Sequence, residues 1–355
     1  MKIPVRVCVV GAGQVAAEVH LPILSRIKGI SIEGICDLSR PNAEKLASRF
    51  NIARVYGSID EINPTDVDIL DICTPPQSHE QLVVKAVEAG FDCLVEKPFS
   101  VTGEECAVMV EAARKYERRL FPIQNYSFTP AMLKAKAMID RGEVGQVVNA
   151  TVRYSASFDD HRHRYFLDQA HWVHELPGDV FSDLAIHAAF ALVEIIGRPG
   201  EVKAVCTNTR GTDSVLGSEL EVIVATEAAV GSFLLSFGSA LKLFTIDIGG
   251  TKGGLRVDGN SQAVVKLNRI GNSKSITSRG LQAANEILQL TRNLLVVGFN
   301  VFTRRYSTVT YGHEFLFKSC VRNLKFNEPY PVSMLDVMDA TFLCARAFRQ
   351  LGNSI

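Results

Sequence analysis

The sequence predicts an α/β chain in which an N-terminal doubly wound parallel sheet is followed by an α+β domain with a largely antiparallel, open sheet. Three observations carry this. Over roughly the first third of the chain, short apolar runs alternate with segments of helical periodicity. The turn Gly11-Ala12-Gly13 follows the first of those runs at once. Beyond Pro130 the alternation gives way to successive strands separated by turns rich in Gly and Asp.

Taken in order, residues 5–10 read as a parallel strand buried on both faces, ending at Gly11. Residues 15–26 follow as a helix and 31–36 as a second strand, after which Ala43, Leu46, Ala47 and Phe50 recur at helical spacing. A third strand, 68–74, is stopped by Pro75-Pro76, and a helix over 81–89 ends at Gly90, a natural C-terminal cap. Strand 93–95, helix 103–116 and strand 120–123 complete the series. Units this short imply right-handed crossovers and a parallel sheet.

The second half begins with one helix to about Arg141 and continues with strands over 147–158, 202–208, 220–225, 231–237 and 244–248. A last helix is signalled by Ser333 and Asp336 at capping-box spacing, apolar Val337, Thr341, Cys344, Ala345 and Phe348, and Gly352 at its end. A chain of 355 residues exceeds the usual single core, so two domains are expected, 1–122 and 123–355.

Composition narrows the function classes. Lys+Arg and Asp+Glu both number 38, so overall charge draws the chain neither to nucleic acid nor to an anionic membrane. Cys8, Cys36, Cys73 and Cys93 fall in strand-like runs and no CxxC pair occurs, which argues against a disulfide framework or a cysteine zinc site. The apolar run near Met1 is too short for a signal peptide, which points to a cytoplasmic protein. The longest apolar stretch, 294–302, is too short to span a bilayer and reads as a buried or interface helix.

The glycine turn carries the first functional signal. Gly11-Ala12-Gly13-Gln14-Val15-Ala16 matches GxGxxG/A between a buried strand and a helix, the Rossmann dinucleotide fingerprint. Gly11 permits the turn, Gly13 lets the backbone approach a pyrophosphate, and Ala16 lets helix and strand pack closely. Donors at Gln14 and Val15 then face the phosphates from the helix N-terminus. Asp37, at the end of the second strand, stands where a carboxylate accepts from the adenosine ribose, which favours NAD. NADP stays open, because Ser39 and Arg40 follow at once and could take a 2′-phosphate.

The segments GAGQVAAEVHLPIL and DICTPPQSHEQLVVKAVEAG, the tripeptide Glu96-Lys97-Pro98 and the run from Gly178 to His187 together resemble the Gfo/Idh/MocA oxidoreductases, in that family's order and spacing over about the first 190 residues. The resemblance implies an NAD(P)-dependent dehydrogenase acting on a CH–OH carbon of a sugar, cyclitol, sugar acid or nucleotide sugar. It implies that Lys97 contacts nicotinamide and substrate, that Asp183 and His187 complete the site with His187 as base, and that Thr74, Pro75, His79 and Glu96 contact the cofactor. It further implies a homodimer or homotetramer. This chain has Asp179 where the family often has a second glycine.

The chemistry fits those residue types. Removing a hydride from a carbinol needs a base for the hydroxyl proton and a positive group to steady the oxygen. Lys97 lies at a strand's carboxyl end, where open sheets bind ligands, and Asp183 and His187 share a helix face four residues apart. The bland alternatives are an exposed loop lysine and a solvated helix pair.

The stretch Asp159-Asp160-His161-Arg162-His163-Arg164, followed by His171 and His174, supports three readings: a metal site, a substrate-gripping lip, or a solvated loop. HxH and HxxH lack a familiar zinc spacing, and no metal is expected. In the second reading Arg153, Arg162 and Arg164 grip an anionic group of the substrate, and Trp172 stacks on a sugar ring. The rival functions are a dinucleotide-sensing regulator without turnover and a reductase of another carbonyl or an imine.

Overall fold

The computed structural model describes residues 4–156, 165–208, 217–268, 276–302 and 310–352. Arg162 and Arg164, with Asp159, Asp160, His161 and His163, lie outside the described residues. The chain divides into two compact units: one of 1–125 with 312–341, the other of 126–311 with 342–355. The first unit therefore ends close to the expected residue 122, but it also takes in a C-terminal segment expected in the second domain.

Among the described residues, the first unit's sheet runs β3 (Val55–Tyr56), β2 (Ile30–Cys36), β1 (Val5–Val10), β4 (Ile69–Ile72), β5 (Asp92–Val95) and β6 (Leu120–Pro122) in spatial order. Every pair is parallel. This is the doubly wound order in which strand succession reverses between β1 and β4, and ligands bind at the carboxyl ends beside that reversal. β4 and β5 are buried at every position, and their two carboxylates, Asp71 and Asp92, are paired with His20 and Arg119.

The helix after the glycine turn departs from expectation. A π turn, Ala16–His20, leads into the short α1 (Leu21–Leu24). Pro22 in α1 has no N–H to bond the carbonyl four residues back. The Leu21 N–H reaches back five residues to Ala16 O, and the widened turn lodges His20 fully inside. The later helices α2 (Arg40–Phe50), α3 (His79–Glu88) and α4 (Gly103–Lys115) fall where periodicity places them. α4 starts on a capping box between Thr102 and Glu105.

In the second unit α5 (Pro130–Asp140) precedes a mixed sheet. Its spatial order is β13 (Ala263–Asn268), β12 (Gly253–Asp258), β11 (Leu243–Gly250), β7 (Val147–Ser155), β10 (Val230–Ser236), β9 (Glu219–Ala225) and β8 (Val202–Thr207). Only the β7–β10 pair is parallel in this sheet. β12 and β13 were not anticipated. Helix α6 (Val180–Ile196) covers the face formed by Val152, Tyr154, Phe233 and Leu235, all buried. The other face is open, with Val205, Ile223 and Arg153 exposed.

Three more helices follow: α7 (Ile276–Phe302), α8 (Tyr311–Phe326) and α9 (Met334–Gly352). α9 begins as its capping signal requires, the Asp336 N–H donating to Ser333 Oγ at 3.4 Å. The apolar stretch at 294–302 lies within α7, but Leu294 and Leu295 are exposed rather than buried. No helix among the described residues is long and apolar enough to cross a membrane.

Candidate active site

The glycine turn is shaped for close backbone approach. Gly11 has φ +102°, and a Cβ there would lie 2.9 Å from the Cys73 carbonyl, so both conformation and space demand glycine. A Cβ at Gly13 would meet nothing within 4 Å, which leaves open space on the side where a pyrophosphate must approach. Gln14 is exposed and bonds Glu18 through its side chain at 3.2 Å, while Val15 is half-buried.

Asp37 sits beside this turn. Its Oδ2 accepts from the Ala12 N–H at 2.6 Å and its Oδ1 from the Ser39 N–H at 2.6 Å. A carboxylate offers about four acceptor positions, so two remain for ribose hydroxyls. Arg40 is paired with Glu44 at 2.9 Å on the exposed surface of α2. The donor and acceptor set thus suits NAD. Asp37→Ser is expected to shift the ratio of NADPH to NADH affinity toward NADPH by about tenfold, since one charge facing a 2′-phosphate is removed. Fluorescence titration with both nucleotides checks this, and an unchanged ratio would place the Asp37 charge away from the ribose.

Thr74 and Pro75 lie just past β4, against the glycine turn. Thr74 Oγ1 accepts from Ser78 Oγ at 2.7 Å. His79 is fully buried and bridges two carbonyls, Thr74 O at 2.9 Å and Phe99 O at 3.2 Å. It thereby stands between the loop after β4 and the loop after β5.

Glu96 and Lys97 follow β5. The Glu96 carboxylate is buried, with Oε1 accepting from His20 Nε2 at 2.8 Å and from His313 Nε2 at 3.1 Å, and Oε2 from the Lys97 N–H at 2.8 Å. Burial alone would raise its pKa, yet the bonds from His20 and His313 hold it well below the usual carboxylate range. Its oxygens are thus bonded within the first unit, and Glu96 holds the Lys97 amide. Two groups among the described residues have metal-ligating side chains close together, His20/Glu96/His313 and His20/Asp71/Cys73. His171 and His174 are in neither.

In the second unit, the candidate residues Asp183 and His187 stand on α6. This helix is apolar and buried on nearly all sides, so a polar side chain along it must find a partner. Asp183 and His187 are buried one turn apart, and Asp183 Oδ2 accepts from the Tyr165 hydroxyl at 2.8 Å. The Tyr126 ring lies 4.3 Å from that of His187, and its hydroxyl is 2.8 Å from that of Tyr154. Burial, then the neighbouring Asp183 charge, pushes the Tyr165 phenol up, so it stays a donor. Sequence reasoning missed all three tyrosines, none of which stands in a motif.

Asp179 adopts φ +49°, the left-handed region that a glycine would take at this place, so the loop before α6 keeps its course despite the larger residue. His174 Nδ1, 2.5 Å from Asp179 Oδ1, holds it there. At Gly178 a Cβ would run into the Phe348 ring, so any larger residue there requires that ring to move. Trp172 is half-buried with its ring 5.0 Å from His171, whose ring is 4.8 Å from Tyr165. Arg153 pairs with Leu234 and Thr245 on the open face, whereas Tyr154, next along β7, faces His187. Strand parity puts Arg153 on the side of the sheet away from α6.

Comparison with known proteins follows the same division. The family model described as an oxidoreductase family with an NAD-binding Rossmann fold matches residues 5–124, and the GFO/IDH/MocA C-terminal domain matches 132–256. The uncharacterized oxidoreductase YhhX of Escherichia coli (strain K12) is 29% identical over 196 residues, 54% of either chain. An inositol 2-dehydrogenase of Salmonella agona (strain SL483) is 28% identical over 153 residues, 42% of this chain and 46% of that one. These matches span about half the length of the curated relatives. The crystal structure of the WlbA dehydrogenase from Bordetella pertussis, in complex with NADH and UDP-GlcNAcA, superposes with TM-score 0.80 at 18% identity and covers 100% of this chain and 97% of that one.

Proposed function

The chain belongs to the Gfo/Idh/MocA oxidoreductase family, and we propose that it moves a hydride between NAD and a hydroxyl-bearing carbon of a sugar, cyclitol, sugar acid or nucleotide sugar. The observation that carries this reading is the placing, on an otherwise apolar buried helix, of Asp183 against the Tyr165 hydroxyl and of His187 against the Tyr126 ring. Such a set has no packing rationale and suits proton transfer at a hydroxyl. Bound nicotinamide supplies the hydride acceptor. His187 takes the hydroxyl proton, Asp183 orients the substrate, and Lys97 steadies the oxygen as the carbonyl forms.

The relatives support the substrate range: one is named for inositol and a structural neighbour holds a UDP-sugar acid. A nucleotide-sugar acid would suit Arg162 and Arg164 as an anion grip. Assembly of two or four copies through the open sheet face, where Val205 and Ile223 are exposed, belongs to the same proposal. The test is to supply the purified chain with NAD and, in turn, myo-inositol, methyl glucosides, aldonic acids and UDP-linked sugar acids, and to follow reduced nicotinamide. Sustained reduction with one class supports the proposal. Tight NADH binding with no turnover of any class would make the chain a dinucleotide sensor.

A further inference from the structure

The first unit contains a buried polar chain that the reaction does not use directly. His20 is wholly inaccessible. Its Nδ1 faces both oxygens of Asp71, at 3.0 and 2.8 Å, and its Nε2 faces Glu96 Oε1 at 2.8 Å. Both ring nitrogens therefore face carboxylate oxygens, an arrangement that favours a ring protonated on both sides. Burial opposes that charge, but Asp71 outweighs it and holds the ring well above the ordinary imidazole range. Cys73, 3.1 Å from Nδ1, is a neutral thiol that burial pushes up to about 12. His313 of α8 adds a second donor to Glu96 Oε1, and Phe317 packs its ring 4.9 Å from that of His20.

We propose that His20 is a positioning residue which, with His313, pins the Glu96 carboxylate so that its free oxygen holds the backbone amide of Lys97. The direction in which Lys97 leaves β5 is then set from two sides, by the π turn after the glycine motif and by the returning C-terminal helix. A buried group with one partner removed is left with an unsatisfied charge, so loss of His20 releases Glu96 rather than simply weakening it. The catalytic consequence rests on the role proposed for Lys97. The anchoring itself does not, and it is read without substrate.

The experiment is amide hydrogen exchange resolved to single residues in the full chain, comparing wild type with His20→Ala and His20→Gln. The Lys97 amide is expected to exchange about tenfold faster in His20→Ala. The adjacent Glu96 amide, bonded to Ile72 O at 3.0 Å in the sheet, should not change. Glutamine retains an N–H that can reach Glu96 and should restore most of the protection. If His20→Ala does not fold, Asp71→Ala, which removes the acceptor at the ring's other nitrogen, should show a loss of protection at the same amide. Unchanged Lys97 exchange in a folded variant, or equal acceleration at Glu96 and Lys97, would overturn the proposal. So would a stoichiometric divalent metal in the purified wild type, because the imidazoles would then be ligands and not donors. Failure of the functional reading is separate, since it shows as absent turnover in wild type whatever Lys97 exchange does.

Discussion

Lys97→Ala is expected to lower kcat/KM by about 10²-fold while NADH affinity stays within a few-fold. That is the scale of losing one preorganised positive group from a site where negative charge develops on oxygen. The reason is positional. Lys97 stands one residue beyond Glu96 at the carboxyl end of β5, and its amide is held by a carboxylate that is itself fixed by two imidazoles. Alanine keeps that backbone anchor, so the glycine turn and Asp37 remain intact and cofactor binding should survive. Steady-state kinetics with the best substrate, together with NADH titration, checks both halves. Near-normal turnover would remove Lys97 from the chemistry.

The second large effect is expected at His187. His187→Asn keeps a polar side chain of similar bulk beside the Tyr126 ring but cannot take up a proton, so kcat should fall by roughly 10²- to 10⁴-fold. Steady-state kinetics of the variant with the best substrate checks this, and near-normal turnover would assign the base to another group.

These two sites differ in how far they could be read in advance. The first unit's strands were legible because a parallel strand covered on both faces is mostly apolar, broken here only where Asp71 and Asp92 have partners of their own, and the glycine turn marked where the backbone needs Gly11. His187 and Asp183 were legible as a helical pair. Their tyrosine partners come from three separate places in the chain, and no local pattern links Tyr126, Tyr154 or Tyr165 to α6. The sheet of the second unit carries a sharper lesson. The alternation that buries Tyr154 also turns Arg153 the other way, so period two alone was enough to set the two residues on opposite faces.

The C-terminal return was illegible for a different reason. α8 is an ordinary amphipathic helix, and His313 within it looks like a lone histidine until Glu96, 217 residues earlier, is seen to accept from it. His20 was hidden likewise, because a helix drawn from spacing assumes a uniform turn, and the proline-driven π turn changes which face the residue occupies.

The central claim is that a hydride passes directly between a carbinol carbon and the nicotinamide while His187 manages the proton. The most direct measurement uses the best substrate of the panel deuterated at its reacting carbon, with mass analysis of the reduced nucleotide. The account predicts that every turnover places one deuterium on the nicotinamide, with a primary isotope effect on the reaction. Reduced nucleotide without deuterium, formed in water at the same rate from labelled and unlabelled substrate, would contradict it.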